Sequence, residues 1–203
     1  MRETDYSALL AGTATGVLRF GRGVVHLAVL ADANLSGLFR ARFDGPPPVV
    51  AATGNAIAID YKGFHPFAWR RRAADIALNP AIPWRIEIGH GVSSMTADLR
   101  PLRVTEVNVS GGASNVDLLL GRPQGTVPVC FGAGVSKVGI IRPRDVAVLA
   151  VVRGGASKFR LDEQKFGALG GETRLESPDY TAAVDRYDIE IGGGASRLTI
   201  DRH

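Results

Sequence analysis

The sequence predicts an all-β chain wound as a β-solenoid with coils of about 21 residues. Three observations carry this expectation. A Gly-x-Ser motif recurs with its serines at Ser93, Ser114, Ser136, Ser157 and Ser196, spaced by 21, 22, 21 and 39 residues. Apolar residues follow each serine in alternation. Glycine is abundant, 25 of 203 residues, against a usual share of about 7%, and the recurring motif accounts for much of the excess.

Each motif has the same internal order. Two residues before the serines stand Gly91, Gly112, Gly134, Gly155 and Gly194. Two residues after stand Met95, Val116, Val138, Phe159 and Leu198, and four residues after stand Ala97, Leu118, Ile140, Leu161 and Ile200. The intervening positions are often polar, as at Asn115, Lys137, Lys158 and Arg197. In a strand, alternate side chains share a face. Glycine, serine and the two apolar residues are therefore expected to point inward, with small residues at a sharp corner and large ones filling the core. A repeat this short is too small for a pair of helices and suits one turn of a β-solenoid.

Second strands are expected between the motifs at VTEVNV (104–109), TVPVCF (126–131), VAVLAVV (146–152) and YDIEI (187–191). The turns GRPQG and IRPRD separate them, and Arg122-Pro123 and Arg142-Pro143 read as equivalent corners where no ladder N–H is needed. The 39-residue gap leaves room for one degenerate unit. HLAVLAD, LFRARFD and NAIAIDYKG alternate like strands in the front half, and GPPPVV marks a turn. The chain is expected to be one domain over 1–203, with degenerate coils and an N-terminal cap over 1–85 and regular coils over 86–203. RLTIDRH follows an apolar strand directly, so the C-terminal edge is expected to be open, a route to homo-oligomers through terminal coils.

Composition narrows the function classes. The formal net charge is +4, and no basic tail marks a nucleic-acid binder. No run of 18 apolar residues spans a membrane, and the N-terminal segment lacks the pattern of a signal peptide, so a cytoplasmic location is expected. The single Cys130 has apolar neighbours in sequence and is expected to be buried and inert. Four scattered histidines, His26, His65, His90 and His203, offer no metal-ligand spacing, and no cofactor is expected.

The glycine-rich runs are not phosphate loops, because alternating strand residues and an Arg-Pro pair follow GGASNVDLLL where a helix would be required. Stacked, inward serines without a histidine and acid in reach do not make a hydrolase. His90, in GHGVS, reads as a surface or corner residue. Asp98, Asp117, Asp162 and Asp201 recur near strand ends, with Asp162 and Asp201 at the same repeat position. They read as turn residues, or as acids of a carbohydrate-active enzyme, with Tyr180 and Tyr187 as aromatic contacts. No catalytic residue is assigned. The candidate partner-binding residues are Trp69, Arg70, Arg71 and Arg72, because tryptophan and arginine are enriched at interface hot spots. Trp69 and Trp84, with Phe64 and Phe67 in the same segment, read as an aromatic cluster covering a solenoid flank or as a hot spot for a protein partner.

The stretch from Trp84 onward, through VSGGASNVDLLL, RGGASKFRL and RYDIEIGGGASRLTI, resembles the bacterial putative-adhesin or toastrack-type β-solenoid domain, similar to the C-terminal domain of LiaF-like cell-wall-active antibiotic response proteins. That resemblance implies a right-handed solenoid and a non-enzymatic scaffold or protein-interaction role near the cell envelope. Two alternatives remain on the same fold: a lyase or glycosidase, and a self-assembling structural protein.

Overall fold

The computed structural model describes residues 4–9, 12, 14–21, 25–61 and 73–203. Among them every regular element is a strand, and the strands form two sheets, one of ten and one of nine. Alternation of apolar and polar residues explains why. In Pro83–Ile88, for example, Trp84, Ile86 and Ile88 are buried while Arg85 is exposed.

The body is a β-solenoid of two-strand coils. The coils are β2 (Gly16–Phe20) with β3 (His26–Ala31), β6 (Ala56–Asp60) with β7 (Ala73–Leu78), and β8 (Pro83–Ile88) with β9 (Ser94–Leu99). They continue as β10 (Arg103–Val109) with β11 (Ala113–Leu120), β12 (Thr126–Phe131) with β13 (Val135–Arg142), β14 (Ala147–Val152) with β15 (Ala156–Leu161), and β18 (Arg186–Ile191) with β19 (Ala195–Arg202). The first strand of each coil joins the nine-stranded sheet and the second joins the ten-stranded sheet, all in parallel. One core fills the space between the sheets, from Leu18 and Ile57 at one end to Phe159 and Ile189 towards the other.

The order of coils differs from the order of the chain. β19 lies between β13 and β15, and β18 lies between β12 and β14. The C-terminal strand is therefore internal, which corrects the expectation of an open C-terminal edge. The chain reaches that slot by running outward first. The 39-residue gap holds no further parallel coil. It holds β16 (Gln164–Leu169), antiparallel to β15, and β17 (Thr173–Glu176), antiparallel to β14. At the other end β4 (Gly37–Asp44) and β5 (Val49–Thr53) pair antiparallel with β7 and β6, and β1 (Thr4–Leu9) adds to β4. Antiparallel strands thus cover both ends of the parallel stack, one way to blunt a solenoid edge.

Candidate functional site

The Gly-x-Ser motifs stack in register at one corner. Ser114 pairs with Ser136, Ser136 with Ser196, and Ser196 with Ser157. A bridge from Val92 to Ala113 brings Ser93 beside Ser114. The orientation differs from the expected one. Ala113, Val135, Ala156 and Ala195 are the buried residues, whereas Ser93, Ser157 and Ser196 are exposed and Ser114 and Ser136 half-buried. The motif glycines are likewise exposed or half-buried.

A bulge causes the inversion. The residue after each motif serine from Ser114 onward has a left-handed backbone, with φ of 50° at Asn115, 55° at Lys137, 53° at Lys158 and 57° at Arg197. Pairing passes from Ser114–Ser136 straight to Val116–Val138, so Asn115 and Lys137 take no rung. An extra residue shifts the side-chain phase by one. The apolar pattern after the bulge is core-facing, as expected, but the residue before the bulge that faces in is the alanine or valine, not the serine. Since these coils insert the bulge at one place, the parallel ladder resumes in phase.

The outward serines and glycines border an open groove along the solenoid axis. Gly91, Gly112 and Gly134 with Ser93, Ser114 and Ser136 surround about 580 Å³. Gly155, Ser157 and Ser196 continue it through a further stretch of about 450 Å³. Ser114 Oγ and Asn115 Nδ2 both donate to the Ser93 carbonyl, at 3.1 and 3.2 Å. Glycine is needed in the turn before the serines because neighbouring coils meet backbone to backbone: a Cβ on Gly193 would lie 2.6 Å from Gly134 N.

A second polar site lies at the far end of the ten-stranded sheet. Arg142 Nη2 donates to Asp162 Oδ2 at 2.7 Å, and Arg202 Nε lies 3.2 Å from Asp162 Oδ1. Arg202 also binds Glu163 at 2.6 Å, and Arg160 binds Asp201. Arg144 and Lys165 complete the rim of a hollow of about 410 Å³. Burial pulls the Arg142 guanidinium down from its ordinary value, and the Asp162 charge opposes that shift. Asp162, in the turn just after β15, and Asp201 on β19 do stand side by side, since Leu161 pairs with Ile200. Both are held by arginines. Asp98 is bound by Arg100, whose hydrogen bond is the largest cause holding its carboxyl below the usual range. A general acid of a glycosidase needs the opposite shift.

Other candidates resolve differently. Tyr187 is 1% exposed and donates to the Gly121 carbonyl at 3.0 Å, so it is a core residue. Tyr180 packs with Ala147 and Leu149 under the loop before β18 and donates to Asp188 at 2.7 Å. Neither is a glycan-contact platform. Trp84 is fully buried against Gly16 and donates to the Asn79 carbonyl at 2.8 Å. The two Arg-Pro pairs are not equivalent: Arg122 is exposed and paired with Asp145, whereas Arg142 is buried. Cys130 is half-buried rather than buried. Burial first, and then Glu190, Glu106 and Asp188, raise its thiol above the ordinary value, which keeps it protonated. His90 is exposed, with Nδ1 2.9 Å from the Gly21 carbonyl. Trp69, Arg70, Arg71 and Arg72, with His65, Phe64 and Phe67, lie outside the described residues.

The structure also joins residues that stand out in the sequence only as polar positions. Lys137, Arg197 and Lys158 follow Ser136, Ser196 and Ser157, so they occupy three successive strands beside the groove. The signal was present as a cation after three of five motif serines. Its significance depends on the register of the strands, which sets the three residues side by side. Among the described residues no cluster of His, Cys, Asp or Glu is placed to hold a metal, and no helix is long and apolar enough to cross a membrane.

Stacked coils, a repeated corner and antiparallel ends define the architecture, and residues 13–141 match the family described as the N-terminal domain of toast_rack, DUF2154. The chain belongs to this family. Its toast-rack fold is shared with a putative cell adhesion protein from Clostridium sporogenes, at 18% identity and a TM-score of 0.69, covering 100% of this chain and 99% of that one. A putative adhesin from Bacteroides fragilis gives a TM-score of 0.41 at 14% identity, covering 100% and 96% of the two chains. No curated protein matches the toast-rack chain.

Proposed function

We propose that this protein is a non-catalytic binding or scaffold module associated with the bacterial cell envelope. The observation that carries this reading is the corner groove, a series of near-identical rungs open to solvent. A repeated groove of backbone and hydroxyl groups suits an extended partner better than a small substrate. Asp98, Asp162 and Asp201 are each held by an arginine, which supports binding without turnover. The cell adhesion description of the Clostridium protein with the same fold supports an envelope setting. Trp69, Arg70, Arg71 and Arg72 are proposed from sequence as a second contact for a protein partner.

The test is retention of bacterial envelope material on immobilised protein. The parent chain is expected to retain it saturably, and Ser136→Tyr, which fills the groove, is expected to retain less. Equal retention by the two proteins would remove the groove from the reading. Bacterial polysaccharide incubated with the protein should release no reducing ends. Release that disappears in Asp201→Asn would replace the binding module with a carbohydrate-active enzyme.

A further inference from the structure

We propose that Lys137, Arg197 and Lys158 form a binding strip for a linear polyanion, a chain of repeating phosphates laid along the solenoid axis beside the serine groove. This names the partner chemistry of the binding module proposed above and rests on that reading.

The three residues occupy one position on neighbouring strands, because Ser136 pairs with Ser196 and Ser196 with Ser157. Adjacent strands are about 4.8 Å apart, so three positive charges repeat at close, regular intervals. All three side chains are exposed. Among the described residues none of them has an ion-pair partner, whereas Arg85, Arg100, Arg153 and Arg202 are all ion-paired. Like charges placed on adjacent strands destabilise a sheet.

The backbone adds a second cost at the same three places. A left-handed conformation is unfavourable for lysine and arginine, and asparagine tolerates it far better. Asn115 occupies it on the next strand. The sequence thus carries cations where both conformation and mutual repulsion oppose them. Strain and unpaired charge concentrated at one site point to a ligand that offsets them. A polyanion does so by placing one negative charge near each cation.

The surroundings fit such a chain. Ser136, Ser157 and Ser196 offer hydroxyl donors along the same line, without carboxylates in the groove lining. The nine-stranded sheet instead turns Glu87, Glu106, Asp188 and Glu190 outward, in positions that alternate with its buried core residues. A single-stranded nucleic acid would need aromatic platforms for its bases. The aromatic residues of this region, Phe159 and Phe166, are buried and half-buried and pack against each other with ring centroids 6.1 Å apart.

Binding of long-chain inorganic polyphosphate, measured by titration across salt concentrations, tests the proposal. Three contacts that each release about 0.7 counterion predict a log–log salt slope of about −2, or a loss of roughly fifteen- to twentyfold between about 50 and 200 mM salt. Orthophosphate is expected to bind far more weakly. Replacing all three cations by asparagine keeps a residue that suits the bulge and is expected to abolish the salt-dependent binding. Arg122→Asn, at a different corner, is expected to leave it unchanged. A folded triple variant that binds like the parent would overturn the strip, as would tighter binding of single-stranded DNA or of phosphatidylglycerol vesicles. Envelope retention is measured on the same variant. If the parent retains envelope material but does not bind polyphosphate, the strip fails and the module stands.

Discussion

Arg142 and Asp162 form an ion pair across β19, with side chains only 1% and 9% exposed and 2.7 Å between Nη2 and Oδ2. Arg142 occupies a core-facing row. It comes one residue after Ile141, which pairs with Leu119, so its place matches that of the buried Leu120. The arginine therefore carries a charge into a position that a neighbouring coil fills with leucine, and Asp162 on the outer coil neutralises it.

Asp162→Asn is expected to destabilise by about 3–5 kcal/mol, because it leaves a buried guanidinium without its counter-charge. The φ of 51° at Asp162 does not confuse the result, since asparagine accepts that backbone as well as aspartate does. Arg142→Leu is expected to cost less, because Arg202 remains 3.2 Å from Asp162. The double variant should recover most of the loss caused by Asp162→Asn. Urea unfolding of the three proteins measures this, and additive losses in the double variant would show that the two side chains do not act as a pair.

The strands and their inward residues were legible in the sequence wherever a simple alternation ran, as in RYDIEI and VTEVNV. The serine corner was legible as a repeat but not in its orientation. Alternation extrapolated through Asn115 or Lys137 places the serine inside, and only the left-handed bulge reverses it. The position of β19 was hidden for another reason. Nothing in IGGGASRLTI separates an end coil from a middle one, because both neighbours present the same motif. The buried Arg142 was hidden by its likeness to Arg122, which also precedes proline. The deciding features were a local backbone bulge at the corner and, for β19 and Arg142, contacts between coils, and a periodicity read along one coil is blind to both.

Gly193 and Gly194 should respond differently to the same substitution. A Cβ on Gly193 would lie 2.6 Å from Gly134 N, a backbone atom that cannot swing aside, whereas a Cβ on Gly194 would lie 3.3 Å from Gly154 O. Gly193→Ala is expected to cost about 1–3 kcal/mol, the usual range for overpacking, and Gly194→Ala clearly less. Thermal melts of the two variants check the ordering. The reverse order would place the close approach of the coils one residue further along the chain.

Tyr187 links stability to alkaline pH. Burial raises its phenol far above the ordinary tyrosine value, because ionisation would put a charge in the core. In the unfolded chain the group ionises near pH 10. Its folded value is the higher one, so its contribution is fully present below pH of about 10 and declines as pH rises beyond it. Urea unfolding between neutral pH and pH of about 11 should show this decline. Tyr187→Phe loses the hydrogen bond to the Gly121 carbonyl, at a cost of about 1 kcal/mol near neutrality. The variant should also show a shallower alkaline decline, and an unchanged decline would assign it to other groups.

The proposed strip makes a prediction about stability that does not involve a ligand. If Lys137, Arg197 and Lys158 are held against backbone preference and mutual repulsion, asparagine at each position should stabilise the free protein. Relief of the left-handed backbone is expected to contribute roughly 0.5–1 kcal/mol per site. The three positions occupy neighbouring strands, so their effects should couple. The first replacement also weakens the repulsion on its neighbours. The gain from all three together should then be smaller than the sum of three single gains, because each single variant already counts a repulsion that the others share. Melting temperatures of the single and triple variants at low salt measure both quantities. The difference between the sum and the triple should shrink as salt screens the charges. A triple variant that melts below the parent would mean that the cations support the bulge rather than burden it, and the strip would lose the strain on which its ligand was inferred.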